Sequence, residues 1–139
     1  MRILGLDLGT RTLGLAISDK LNIIASPYKV LRWDGVDYAL LFHDLDNIIK
    51  DNDITELCLG LPKNMNNTFG DATKRSMDFK AALEERYKIP VTLVDERLST
   101  VEATNYLLDE DMSRKKRKKV IDGVAASIIL DTYLKMRGN

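Results

Sequence analysis

The chain has 139 residues, 45% of them hydrophobic, only three prolines, and 21 basic against 21 acidic residues for a net charge of zero. This composition excludes a disordered chain and suits one domain, residues 1–139, with its own core. It also excludes a whole-molecule field that would draw the protein to a polyanion, so any charged partner must be met by local segregation of charge.

Residues 2–8 alternate, with Ile3, Gly5 and Asp7 on one side and Leu4, Leu6 and Leu8 on the other. The stretch GTRT then turns the chain into LGLAIS, which predicts an opening hairpin. Residues 23–33 form a third extended segment, and Pro27 near its start suits a sheet edge. From Gly35 the period changes: Val36, Ala39, Leu40, Phe42, Leu45, Ile48 and Ile49 fall at spacings of three and four, a helix of about 15 residues.

ELCLGLP at 56–62 is short, apolar and stopped by Pro62, as expected of a central strand. Its Cys58 is the chain's single cysteine, so it forms no internal disulfide and reads as a core residue in a reducing compartment. Residues 63–71 are loop material, a helix is predicted from Ala72 to Tyr87, and IPVTLVD at 89–95 is a further strand. Ser99 and Glu102 form a capping box that opens another helix. A basic loop, RKKRKK at 114–119, then precedes a last helix at roughly 118–136.

Three strands before any helix, then alternation, predict an α/β fold: a mixed five-stranded sheet with an antiparallel opening hairpin and helices on its faces. Asp7 interrupts the only early apolar run and no stretch approaches 18 apolar residues, so the expectation is a soluble, cytoplasmic protein without a membrane partner.

Three carboxylates stand at the ends of elements. Asp7 is near the end of the first strand, Glu96 just past the fifth, and Asp122 near the start of the last helix. If the first and fifth strands are parallel, Asp7 and Glu96 emerge at one carboxyl edge, where sites in α/β proteins lie. Asp122 shares a helical stripe with Ala126, Ile129, Leu130 and Tyr133, and burying an unpaired carboxylate there would cost on the order of several kcal/mol. Carboxylates held about 4–5 Å apart repel unless a divalent cation bridges them, and oxygen-only ligation suits Mg2+ or Mn2+. Zinc is disfavoured, because His43 and Cys58 are the only residues of their kinds. Taken singly, Asp7 also suits a turn, Glu96 an ion pair with Arg97, and Asp122 a helix cap.

The stretches GLDLGTRTLGLAISD (5–19), GLPKNMNNTFG (60–70), VDERLST (94–100) and RKKRKKVIDGVAASIILDTYL (114–134) resemble, in order, the signature blocks of the YqgF or RuvX family of Holliday junction resolvase-like nucleases. One departure is Asn66 and Asn67, where the family commonly has an Asp-Gly pair; Asn tolerates the same turn conformations. The resemblance implies an RNase H-like fold with helices on both sheet faces. It also implies Asp7, Glu96 and Asp122 as catalytic, metal-holding carboxylates, and bacterial cytoplasmic members associated with maturing the 5′ end of pre-16S rRNA or with resolving branched DNA.

Residues suited to phosphate contact surround these positions. Arg11 in the first turn offers a bidentate guanidinium, Lys63 a mobile point charge, Asn64 a backbone hydrogen bond, and Arg97 sits next to Glu96. Arg114, Lys115, Lys116, Arg117, Lys118 and Lys119 form the clearest polyanion signal, although such a run also suits a solvated face. Gly5, Gly9 and Gly14 suit close approach of another element or a backbone, or plain turns. Trp33 and Tyr28 suit packing as well as base stacking, and His43 reads as structural.

The preferred expectation is therefore a metal-dependent endonuclease acting on structured RNA, with a junction-cleaving nuclease and a non-catalytic RNA-binding assembly factor as alternatives. An actin-like ATP-handling enzyme ranks last, because the chain lacks a second domain and a phosphate loop.

Overall fold

Alternation in the first strand sets the layers. The computed structural model describes residues 1–61, 71–95 and 114–137, and the backbone alone at 71–72 and 114–123. Strand β1 (Arg2–Leu8) pairs antiparallel with β2 (Thr12–Ser18), and β2 antiparallel with β3 (Ala25–Arg32). Helix α1 (Ala39–Asp51) leads to β4 (Ile54–Leu61), α2 (Asp71–Tyr87) to β5 (Val91–Asp95), and α3 runs Arg114–Met136. The sheet order is β3-β2-β1-β4-β5, with β1, β4 and β5 parallel; the mixed five-stranded sheet with an antiparallel opening hairpin is the one the sequence pattern predicts.

Leu4, Leu6 and Leu8 of β1 pack with Leu13 and Leu15 of β2 beneath Leu41, Leu45 and Ile48 of α1 and Phe79 and Leu83 of α2. The other face carries Ile3, Ala16, Cys58 and Val94 against Ala126, Ile129, Leu130 and Leu134 of α3. The helices thus cover both faces, and a strand buried on both sides reads as nearly continuous apolar sequence. Burial pushes the Cys58 thiol far above its ordinary range, which makes it an inert packing group. Strand β3, with Pro27, is an edge and is exposed over most of its length. No helix among the described residues is long and apolar enough to cross a membrane.

Two expected boundaries move. The first helix starts at Ala39, not near Val36, because Asp34 Oδ1 accepts the backbone N–H groups of Val36 and Asp37 at 2.8 Å each and Gly35 takes φ +83°. That turn leaves Val36 outside the helix and 85% exposed. The basic run is not a loop: Arg114–Lys119 are the opening turns of α3. Lys and Arg are good helix formers, and with no Gly or Pro in the run the backbone continues the helix despite like-charge repulsion. The capping-box helix and the 63–70 loop lie outside the described residues.

Helices α1 and α2 are joined at their solvent side by one polar cluster. Arg86 donates to both Asp46 oxygens, at 2.9 and 2.7 Å, and the Tyr87 hydroxyl donates to Oδ1 at 2.7 Å. The guanidinium lies 4.8 Å from the centre of the Phe42 ring. The bonds from Arg86, then that from Tyr87, lower the Asp46 carboxyl from 3.8 to about 2. A carboxyl held low in the folded state stabilises above its ordinary pKa, and the gain is lost as pH falls toward the depressed one. Because the Arg86 and Asp46 side chains are 45% and 41% exposed, water screening holds the gain to about 1 kcal/mol or less. Asp46→Asn is expected to lower stability by that amount between pH 5 and 8 in urea unfolding, with the difference from wild type shrinking below pH 4.

Candidate active site

The direction of α3 is fixed by contacts at two levels of the sheet. At the amino end, Glu56 sits beside Ile3 in the β1–β4 register and accepts the Tyr133 hydroxyl at 2.6 Å and Arg137 Nη2 at 2.9 Å. Two residues further along β1, a Cβ added to Gly5 would lie 2.8 Å from Leu130 Cβ and 3.1 Å from the Ala126 carbonyl oxygen. Helix α3 therefore runs antiparallel to β1. Stepping back four residues from Ala126 covers about 6 Å of helix, and stepping from Gly5 to Asp7 covers about 6.7 Å of strand. Counted from Leu130, the other α3 residue that meets Gly5, the step back to 122 is about 12 Å, so backbone position 122 lies over the carboxyl end of β1, at Asp7 or up to one helical turn beyond it.

Asp7 itself is half-buried on the α3 face of β1. Its cross-strand partner on β2 is Gly14, and one further step in the β1–β4 register, after Leu6 beside Leu59, brings Gly60 to its other side. The carboxylate stands between two residues without side chains, and among the described residues it has no hydrogen bond or ion pair. Gly60 was not singled out in the sequence, where it sits inside an apolar run; its signal is that it falls two residues past Cys58, on the same face.

The turn after Asp7 is braced from behind. Gly9 N–H donates to the Thr12 carbonyl at 2.8 Å, and buried Trp33, stacked on Tyr38, donates its indole N–H to the Gly9 carbonyl at 3.2 Å. Trp33 is thus a core residue, whereas Tyr28 is exposed on the edge strand, its hydroxyl accepting from Asn52 Nδ2 at 3.3 Å. His43 is on the exposed side of α1.

Of the other expected site residues, Arg11 is exposed in this turn, and its side chain lies along the β3–α1 connection, 3.7 Å from where a Gly35 Cβ would stand. There its charge adds to the backbone N–H groups of Asp37 and Val36, which chiefly hold the Asp34 carboxyl low. Strand β5 ends at Asp95 beside Leu61, so β1, β4 and β5 finish at one carboxyl edge. Glu96, Arg97, Lys63 and Asn64 lie outside the described residues. Residues 114–119 are described as helix backbone. Going back from Ala126 to Arg114 spans about 18 Å of helix, against about 10 Å of strand from Gly5 to Leu8, so the basic turns extend past the sheet at the edge where Asp7 sits.

A half-buried carboxylate flanked on both neighbouring strands by glycine fits a hard divalent cation, which prefers oxygen donors. Among the described residues no three His, Cys, Asp or Glu side chains gather to hold a metal ion. Asp7 is the one member of the expected trio whose side chain is described.

Comparisons with known proteins bear on this arrangement. The family described as "RuvX: Holliday junction resolvase" matches residues 1–136. A protein of Oceanobacillus iheyensis named "Putative pre-16S rRNA nuclease" is 46% identical over 134 residues, 96% of this chain and 98% of that one. A Bacillus licheniformis protein of the same name is 48% identical over 136 residues, 96% of each chain. Among solved structures, Thermus thermophilus RuvC in complex with a Holliday junction substrate aligns with TM-score 0.58 at 12% identity, over 100% of this chain and 96% of that one. Fowlpox virus resolvase with Holliday junction DNA aligns at 0.56 and 11%, over 100% of both chains. The structural likenesses show a shared RNase H-like fold, and a family match from residue 1 to residue 136 shows that this chain belongs to the RuvX family.

Proposed function

We propose that the chain is a single RNase H-like nuclease domain that hydrolyses a phosphodiester bond of precursor 16S rRNA near the mature 5′ end, in the cytoplasm, with Mg2+ or Mn2+ held by Asp7, Glu96 and Asp122. The observation that carries this reading is the half-buried Asp7 at the carboxyl edge, between Gly14 and Gly60 and on the face that α3 covers. A packed sheet centre tolerates such a carboxylate only where a cation or donor meets it. The named activity of relatives at 46–48% identity supports the choice of RNA.

When bound, the cation supplies Lewis-acid stabilisation of the charge that develops on the phosphate and lowers the pKa of water. The carboxylates hold that cation and keep it at one edge of a rigid sheet. Arg11, Lys63, Asn64 and Arg97 bind and orient the sugar-phosphate backbone around the scissile bond. The basic turns of α3 attach the polyanion at a distance, through phosphate contacts that carry no sequence information.

Asp7→Asn keeps the side chain's size and removes a charge. The variant is expected to fold and to bind RNA while metal-dependent cleavage falls about 100-fold or more. Wild type and variant are compared with Mg2+, Mn2+ or chelator on a precursor 16S fragment, a four-way DNA junction and unstructured RNA. Cutting near the mature 5′ end supports the proposal. Preferential junction cleavage replaces RNA by branched DNA as the substrate, in keeping with the family's description. Binding without cutting by wild type, or equal cutting by Asp7→Asn, overturns the catalytic reading in favour of an RNA-binding assembly factor.

Replacing Arg114, Lys115, Lys116, Arg117, Lys118 and Lys119 by Gln keeps helix-forming residues and removes six charges. Affinity for many RNA sequences is expected to fall alike, and the slope of log affinity against log salt to flatten by up to about 4. An unchanged slope in a salt titration would return the run to a solvated helix face.

A further inference from the structure

We propose that Gly5, Glu56 and Tyr133 are positioning residues that hold α3 at a fixed distance and register on the sheet, and through it set Asp122 against Asp7. The inference rests on the reading of Asp7 and Asp122 as metal-holding carboxylates.

The two restraints are physically distinct. Gly5 sets distance: with Leu130 Cβ and the Ala126 carbonyl at 2.8 and 3.1 Å from its absent Cβ, any larger residue must push the helix outward. The neighbours that would have to yield belong to the helix backbone and its first side-chain atom, not to the end of a pliable side chain, so the whole rod moves. Glu56 and Tyr133 set register: the half-buried Glu56 carboxylate receives the Tyr133 hydroxyl from the last turn of α3 and the guanidinium of Arg137, the residue just past its end. The Thr92 hydroxyl of β5 donates to the Tyr133 oxygen at 3.5 Å, so the latch ties the helix to two strands. Burial first, then the bond to Glu56, raise the Tyr133 hydroxyl above its ordinary range, which keeps it a donor at neutral pH.

Neither restraint touches the site. Position 133 is about 16 Å along the helix from 122, and Ile3, beside Glu56, is about 13 Å along β1 from Asp7. A helix transmits a shift at 126 and 130 to its next turn with little loss. Metal ligation requires distances kept within about 0.2 Å. A displacement of a few tenths of an ångström is therefore small for folding and large for a cation shared by the strand and the helix.

The test uses the full chain with Gly5→Ala, Tyr133→Phe and Glu56→Gln, and Asp46→Asn as a destabilised control remote from α3. Mn2+ affinity is measured by calorimetry without RNA, and kcat and KM on the precursor 16S fragment, below each variant's unfolding temperature. Gly5→Ala is expected to weaken Mn2+ binding and lower kcat about 10-fold or more, with Tyr133→Phe and Glu56→Gln lowering both by smaller factors. KM for RNA stays near wild type in all three, and the control keeps wild-type Mn2+ affinity.

If Gly5→Ala does not fold, the other two variants decide. Wild-type Mn2+ affinity and kcat in the folded variants would overturn the inference, as would equal losses in the Asp46→Asn control. Failure of the underlying site reading looks different: Mn2+ binding by the otherwise native chain would then be undetectable, or unaffected by Asp7→Asn.

Discussion

Strand β1 has a helical layer on each side, so every residue along it must be apolar, absent or matched by something opposite. Leu4, Leu6 and Leu8 meet the first condition on the α1 and α2 side, and Ile3 meets it under α3. Gly5 meets the second, and Asp7 is left for the third. The close seat of α3 on Gly5 brings the backbone of that helix against β1 two residues before Asp7. Packing of an apolar helix and placement of a carboxylate are thus one geometric requirement, met at neighbouring positions of one strand.

Charge on this molecule is arranged against local helix preference. Cations at the first turns of a helix face the positive end of its dipole and repel one another at spacings of three and four, each costing about 0.3–1 kcal/mol. The first turn of α3 has no acidic residue to offset this. A polyanion laid along those turns relieves both penalties. With 21 acidic residues matching 21 basic ones, this run is a local concentration of positive charge on a chain that carries none overall.

Much of the fold was legible because its signals were local. The alternation at 2–8, the apolar run at 56–61 and Pro27 at an edge each follow from a rule that needs no knowledge of distant residues. The start of α1 was misread because hydrophobic spacing extended through Val36, whereas the turn built by Asp34 and Gly35 decided the boundary. Reading 114–119 as a loop gave the helix propensity of Lys and Arg too little weight. Of the candidate site, the parallel run of β1 and β5 was inferable, and the second glycine beside Asp7 was not. Gly60 becomes informative only once the β1–β4 register makes it a neighbour of Asp7. Arg11 likewise belongs to the right turn, but its lean toward Gly35 depends on a connection more than twenty residues away in sequence.

Trp33 is the chain's single tryptophan. Its indole is 6% exposed, stacked 5.4 Å from the Tyr38 ring, and bonded to the Gly9 carbonyl two residues beyond Asp7. The protein therefore carries an intrinsic fluorophore wired to the turn behind that carboxylate. Excited at wavelengths that the five tyrosines do not absorb, the emission has one source, and a rearrangement of the first hairpin that loosens this stacking or hydrogen bond becomes an optical signal without a label.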